Sequence, residues 1–417
     1  MNHSAKGEIL TTDGVPLKVS LKRAERLNKI RALALVLPLA LFIIITFAFP
    51  ILSMLLRSVD DKQINTVFPK TFEIYKQWDR KDLPPEELYA TMFHEILNAE
   101  KLQIGKASTR MNYSKSGWKS LLKKSKRKFK KIKEGPYKEQ MIKADKRWGQ
   151  IEFWKALGEM VDPITFGYYL NAVDLKYDSD KHVIQQPENR RVYNSTWIKT
   201  FKISVLVTLF TLILGYPVAY LLATLPLKFS NLLMIFVLLP FWTSLLVRTV
   251  SWIVILMQKG IFNSILVWGG VIADENRMQL IYNQTGTLIA MTQILLPFMV
   301  LPLYSVMKTI PPTYMRAALN LGAKPMHAFY RVYFPQSVPG ISAGGLLVFV
   351  LAIGYFITPA LVGGKDGQLI GHWIAYHLKT SLNWGLCSAL GAILLVVMLV
   401  LYWVYNKVVG IENIKLG

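Results

Sequence analysis

Residues 33–56 are apolar for over 20 positions, long enough as a helix to cross a hydrocarbon layer of about 30 Å. Comparable runs recur at 203–224, 232–246, 287–307, 338–362 and 385–404. Pro38 and Pro50 in the first run are tolerated in membrane helices, and Pro240 in the third predicts a break or kink near Trp242. The 417 residues are 52% hydrophobic with mean hydropathy +0.31, yet the net charge is +23, a pairing that spans with basic flanks explain. The expected fold class is an all-α membrane protein with six transmembrane helices.

Charge sets the expected orientation. Lys18, Lys22, Arg23, Arg26, Lys29 and Arg31 precede the first run, Lys228 follows the second, and Lys407 and Lys415 follow the sixth. Acid-poor basic flanks belong inside, so residues 1–32 and 409–417 are expected to be cytoplasmic. The first run is too long for the core of a cleaved signal peptide and is read as a span. Residues 248–272 are apolar but interrupted by Gln258, Lys259, Gly260 and Asn263, which predicts an outer amphipathic segment and no further span.

Residues 57–200 form a polar insert, expected outside because the first span starts inside. Pro84-Pro85-Glu86-Glu87 opens a helix with prolines and acids in its first turn. Residues 118–132 are strongly basic and suit anionic headgroups, an acidic partner or a solvated helical face. Trp148, Phe153, Trp154 and Leu157 share one face of an amphipathic stretch over 137–160, and aromatics this dense indicate a folded domain, not a linker.

The chemistry of enzymes is missing. No GxxxxGK[ST] phosphate loop occurs, and His372 and His377 lack metal-ligand spacing and read as interfacial side chains. The one cysteine, Cys387, permits no internal disulfide. The basic residues flank spans or sit in the insert, a distribution that does not point to nucleic acid. No Asp or Glu lies between Glu188 and Asp274, or between Glu275 and Asp366, so the later spans carry no carboxylate. A cation crossing them would meet aromatic faces instead. Tyr216, Trp242, Tyr304 and Tyr355 are the candidates, at roughly 0.5–2 kcal/mol each. Packing is the other role open to each. Arg248 is the clearest charge near a span, as a path residue or as a side chain snorkelling to the interface.

Residues 311–344 join the fourth and fifth runs. Pro311 and Pro312 punctuate the start, Thr313 is the expected cap, and Ala317, Ala318, Leu321 and Phe329 supply small or apolar surface. Gly322-Ala323 marks a turn, and Pro335 and Pro339 are expected to end the segment. Arg316, Lys324 and Arg331 lie in it and Lys308 just precedes it, with no acid among them. The pattern is a cytoplasmic helix–turn–helix shaped to press against a partner, or else an ordinary basic loop.

Arg316-Ala317-Ala318, Gly322-Ala323, Phe329 and Pro335 resemble the Glu-Ala-Ala…Gly coupling loop of type I ABC importer permeases, closest to those for spermidine and putrescine. The likeness runs from Phe201 to about Asn406, through Leu239-Pro240-Phe241-Trp242-Thr243-Ser244 and Leu295-Leu296-Pro297-Phe298. The resemblance implies a core permease domain over 201–408 with its coupling loop at 308–337. It implies docking on ABC ATPase subunits that bind the ATP, so the chain itself needs no cofactor and is no enzyme. It further implies a second permease subunit in a heterodimer, a periplasmic solute-binding protein, a place in the bacterial inner membrane and polyamine substrates. Arg316 stands where the family carries Glu, which suggests a matching acid on the ATPase. Other solutes, such as an opine, an amino-acid-like compound or an organic anion, stay open because the spans lack acids. So does a membrane-anchored interaction or sensory protein.

Overall fold

The computed structural model describes residues 17–178 and 181–409. Expectations for residues 1–16 and for 410–417, Lys415 included, fall outside the described residues. The chain divides at Arg57 into two units. The first holds α1 (Leu17–Ile43), basic up to Arg31 and apolar from there, a π-helical turn (Ile44–Ala48) and α2 (Phe49–Arg57). The wide turn precedes Pro50, whose ring would otherwise press on the carbonyl four residues back.

Six helical stretches among the described residues are long and apolar enough to cross a membrane, including Leu21–Arg57. In the second unit the bundle is built on α11 (Tyr193–Thr224), α15 (Gln284–Thr309) and α18 (Phe334–Ile353). Val207, Leu295, Met299, Val300, Leu303 and Val348 are fully or almost fully buried between them. In lipid, apolar surface gains little from mere association, so close packing must hold such helices together. Glycines provide it. A Cβ on Gly344 would lie 2.8 Å from Met299 Sδ and 3.0 Å from the Met299 carbonyl, and one on Gly340 would lie 3.2 Å from Leu303 Cα. The Gly340-xxx-Gly344 face of α18 therefore serves contact with α15 within this chain. The sixth stretch is α21 (Trp384–Val409).

The third run breaks near Trp242 as Pro240 predicts, but it forms no span. No continuous helix covers 232–246. α12 (Leu227–Leu238) runs into a 3-10 turn (Leu239–Trp242), and α13 (Leu245–Leu256) begins afresh. Pro240 removes a donor, Thr243 and Ser244 are extended (ψ 146° and 150°), and Ser244 Oγ accepts the Val247 N–H at 3.2 Å as the new cap. The two halves lie in succession along α15: Phe241 meets Phe298 at 5.1 Å and Trp252 Nε1 donates to Gln293 at 3.0 Å. After a break at Met257 comes α14 (Ile261–Trp268). The stretch Leu245–Trp268 counts among the six, whereas Leu227–Trp242 is shorter. The placing of 248–272 outside the bundle is thus corrected for α13. The fifth run is also revised. Pro335 sits in the first turn of α18, where proline is tolerated, so that helix starts before 338. It stops at Ile353, and α19 (Ile357–Val362) follows as a separate piece.

The insert folds around its own core. Among its helices are α3 (Lys62–Asn65), α4 (Pro69–Tyr75), α5 (Glu86–Asn98), α6 (Lys101–Ser114), α7 (Trp118–Phe129), α8 (Tyr137–Ala144) and α9 (Ile151–Lys155). The stretch 137–160 is no single helix, yet Trp148, Phe153, Trp154 and Leu157 do share one buried cluster. Trp148 donates to Ser125 and Trp154 to the Trp148 carbonyl, so two of the buried indoles are satisfied. α10 (Gly167–Asn171) and a two-stranded hairpin of β1 (Leu175–Tyr177) and β2 (Val183–Gln185) follow. This last part packs with the bundle. Tyr168, Ala172 and Tyr193 are buried against Ile370 of α20 (Ile370–Lys379) and Leu386, Ala389 and Leu390 of α21. The helix expected from 203 accordingly begins at Tyr193.

A buried ion pair inside the insert stands beside its contact with that end of the bundle. Arg110 Nε and Nη2 donate to Asp61 at 2.8 and 2.5 Å, with side chains 12% and 2% exposed. Tyr168 Oη donates to Asp61 at 3.1 Å, its ring lies beneath the Arg110 guanidinium, and Tyr113 donates to the Ser381 carbonyl. Removing one partner strands the other charge. Asp61→Ala is expected to destabilise this part by about 3–5 kcal/mol. Intrinsic tryptophan fluorescence during thermal unfolding of the detergent-solubilised chain checks this; an unshifted transition would refute it.

Candidate functional site

α16 (Pro312–Asn320) starts two residues earlier than the Thr313 cap predicts, with Pro311 at its N-cap and Pro312 in its first turn. It ends in a Schellman turn: Gly322 N–H donates to the Leu319 carbonyl at 3.0 Å and Ala323 N–H to the Ala318 carbonyl at 3.1 Å. Gly322 has φ +87°, a conformation that costs other L-residues about 1–2 kcal/mol. α17 (Pro325–Ala328) and a π-helical turn (Phe329–Tyr333) lead directly into α18.

The hairpin has two faces. Arg316, Ala317, Gly322 and Pro335 are exposed, Ala318, Ala323 and Phe329 half-buried. Leu321 is 89% exposed, and Tyr314 and Met326 also face outward, an apolar surface set among Arg316, Lys324 and His327. The inner face is aromatic. Phe329 stacks on Tyr333 at 5.7 Å and meets the edges of Tyr216 and Tyr220 of α11 at 6.2 and 5.7 Å. Tyr220 meets Tyr333 edge-on at 5.1 Å, and Tyr216 Oη bonds Ser337 Oγ of α18 at 2.9 Å. Such pairs are worth about 0.5–1.5 kcal/mol each beyond burial, so the hairpin is clamped to two bundle helices. Tyr220 and Tyr333 were missed from sequence; their one signal was that Tyr220 follows Tyr216 by four residues.

The five path candidates separate. Tyr216 belongs to the hairpin clamp. Tyr304 packs half-buried in the main core, and Trp242 is 77% exposed at the break between α12 and α13. Arg248 and Tyr355 do come together. Thr249 of α13 bonds Thr358 of α19 at 3.1 Å, and the Arg248 charge acts on the Tyr355 hydroxyl. Arg248 Nε is buried without a hydrogen-bond partner. A charge in a spanning stretch is expensive and usually serves a function. His377 is no interfacial side chain: it is buried, bonding Tyr193 Oη at 2.7 Å and Ser381 Oγ at 2.8 Å through its two ring nitrogens.

The insert and the hairpin occupy opposite ends of the bundle. The insert contacts the starts of α11 and α21, whereas Lys308, just before α16, reaches the Ala223 carbonyl at the end of α11.

The family model for the binding-protein-dependent transport system inner membrane component matches residues 212–409, which leaves the insert outside. The spermidine/putrescine transport system permease protein PotB of Escherichia coli (strain K12) is 36% identical over 228 residues, covering 53% of this chain and 82% of that protein. The inner membrane ABC transporter permease protein YdcU of the same organism is 29% identical over 223 residues, covering 51% and 71%. Among solved structures, a bacterial alginate ABC transporter in complex with an alginate pentasaccharide-bound periplasmic protein aligns at 18% identity and TM-score 0.44, over 52% of this chain and 77% of that one.

Proposed function

We propose a function from one premise: the chain belongs to the family of binding-protein-dependent transport system inner membrane components. It acts as a permease subunit of an ATP-driven importer, pairs with a second permease subunit, and forms half of a pathway that opens alternately to either side. Separate ATPase subunits grip the hairpin of α16 and α17 on the cytoplasmic side. A solute-binding protein delivers the solute on the side of the insert.

The observation that carries this reading is the two-faced hairpin. Its outer face presents apolar and cationic surface to a partner, and its inner face is clamped to α11 and α18 through Tyr216, Tyr220, Phe329 and Tyr333. When the ATPases close on ATP, the hairpin moves as one body because its turn is fixed at Gly322. The aromatic clamp passes the displacement to two helices of the bundle core. ATP thereby changes the relative stability of inward- and outward-open states. Arg316 is exposed on α16 and calls for an acid on the ATPase.

The proposed solute is a polyamine of the spermidine or putrescine type, supported by the likeness to PotB. Trp242, exposed at the break after α12, and Tyr355, between α18 and α19, offer aromatic faces within an acid-free stretch. A second reading rests on Arg248, whose unpaired Nε beside Tyr355 favours a solute bearing a carboxylate, such as an opine or an organic anion. Competition decides between them. In cells carrying the complete transporter, uptake of radiolabelled spermidine is expected to fall at least about tenfold under excess unlabelled putrescine and to ignore carboxylate solutes. Absence of polyamine uptake by an assembled transporter would discard the polyamine and favour the Arg248 reading.

A further inference from the structure

The insert carries a charge pattern that its own fold does not use. Between Lys115 and Arg147 the chain has 14 Lys and Arg against three acids, Glu134, Glu139 and Asp145. α7 sorts them by face. Trp118, Leu121, Leu122, Ser125 and Phe129 are buried in the core of the insert. Lys119, Lys123, Arg127, Lys130, Lys131 and Lys133 are exposed, and among the described contacts their side chains have neither ion pair nor hydrogen bond. Asp145 is already taken by Lys124 and Arg147. Lys119, Lys123 and Arg127 follow at i, i+4 spacing, where like charges destabilise a helix by about 0.2–0.5 kcal/mol per pair. The helix dipole compensates cations only in the last turn, so it favours Arg127 and opposes Lys119. The ridge is held against its own repulsion by the buried face.

Its position selects the kind of partner. α6 and α7 form an antiparallel hairpin. The α6 end touches the bundle through Tyr113 and Ser381, while Lys126 near the α7 end donates to the Ala99 carbonyl just before α6 begins. The 14 residues of α6 rise about 21 Å. The densest cations therefore stand at the end of the hairpin away from the bundle. α7 itself carries no large exposed apolar side chain, and Leu102 of α6 is the single one at that end of the hairpin, whereas a surface that inserts among headgroups would use several.

We infer that the cationic ridge of α7 is a docking surface for an acidic patch on the soluble solute-binding protein. The inference rests on the importer reading above, because that reading puts the ATPases at the opposite end and leaves this end to the delivering protein. Fixed Lys and Arg charges steer an acidic partner and raise its encounter rate, more at low salt than at high.

The test uses the assembled transporter in nanodiscs of neutral phosphatidylcholine, with its solute-binding protein as the probe. The triple variant Lys123→Glu, Arg127→Glu, Lys130→Glu is expected to weaken binding at least about tenfold at 50 mM salt, with the difference shrinking to about twofold at 500 mM. The matching triple Gln variant is expected to fall between, and since all three side chains are exposed, folding is kept. Equal affinity of wild type and Glu variant at low salt would overturn the ridge as a docking surface. So would loss of binding, in the variant only, to vesicles containing phosphatidylglycerol, because it would assign the ridge to lipid. Stimulation of ATP hydrolysis by the binding protein, measured on the wild type, separates the two claims. If it is present, a null result for the variants refutes the ridge alone; if it is absent, the importer reading fails and the ridge with it.

Discussion

Gly322→Pro is expected to abolish uptake while leaving membrane insertion and assembly intact. The position has φ +87°, and proline is locked near −65°. Proline also removes the N–H that donates to the Leu319 carbonyl. At about 3 kcal/mol or more, the Schellman turn gives way to another conformation in about 99% of molecules. The exposed face of α16 then no longer keeps its set orientation to the aromatic clamp behind it. Space is not the issue, since a Cβ on Gly322 would meet nothing within 4 Å. The series is therefore ordered by backbone preference alone. Asn, which visits the left-handed region, is expected to keep most activity, Ala to lose about fivefold to thirtyfold, and Pro to lose all. An Ala variant weaker than Pro would show that the turn conformation is not what counts.

Gly344→Val is expected to disrupt the bundle itself. Its Cβ alone would lie 3.0 Å from the Met299 carbonyl, which is backbone and cannot swing aside. α18 and α15 must separate, and the buried cluster of Met299, Val300 and Val348 loses contact along that seam. Overpacking of this kind costs about 1–3 kcal/mol, and the loss of close helix contact adds to it. The neighbouring glycine is the control. A Cβ on Gly345 would meet only Thr208 Cγ2 at 3.9 Å, so Gly345→Val is expected to be within about 0.5 kcal/mol of wild type. Thermal unfolding of the two solubilised variants should differ by several degrees. Equal transitions would mean that the seam is not closed by Gly344.

What the sequence made legible follows from what each feature does. Apolar runs announced most of the bundle because lipid demands them. Aromatic density announced the insert core, and Trp148, Phe153, Trp154 and Leu157 do meet. Pro240 announced the break between α12 and α13, but that the chain resumes beyond it as a spanning stretch was hidden. Around Pro240 every neighbour is apolar, so periodicity carries no signal, and the Ser244 cap looks like any serine. Proline position misled at Pro335, which reads as a stop yet sits in the first turn of α18. In the candidate site, Gly322 was visible because a turn between helices needs it. Tyr220 and Tyr333 were not, because their role lies in which rings the fold brings together. That Gly340 and Gly344 of α18 close on α15 of the same chain likewise shows only in the fold.

One measurement bears most directly on the central claim. The assembled transporter is reconstituted into proteoliposomes with the solute-binding protein and radiolabelled spermidine on one face and ATP on the other. The account predicts that solute accumulates only when ATP is on the face that exposes the hairpin of α16 and α17 and the binding protein is on the face that exposes the insert. Accumulation driven by an ion gradient without ATP, or with ATP on the face of the insert, would contradict it.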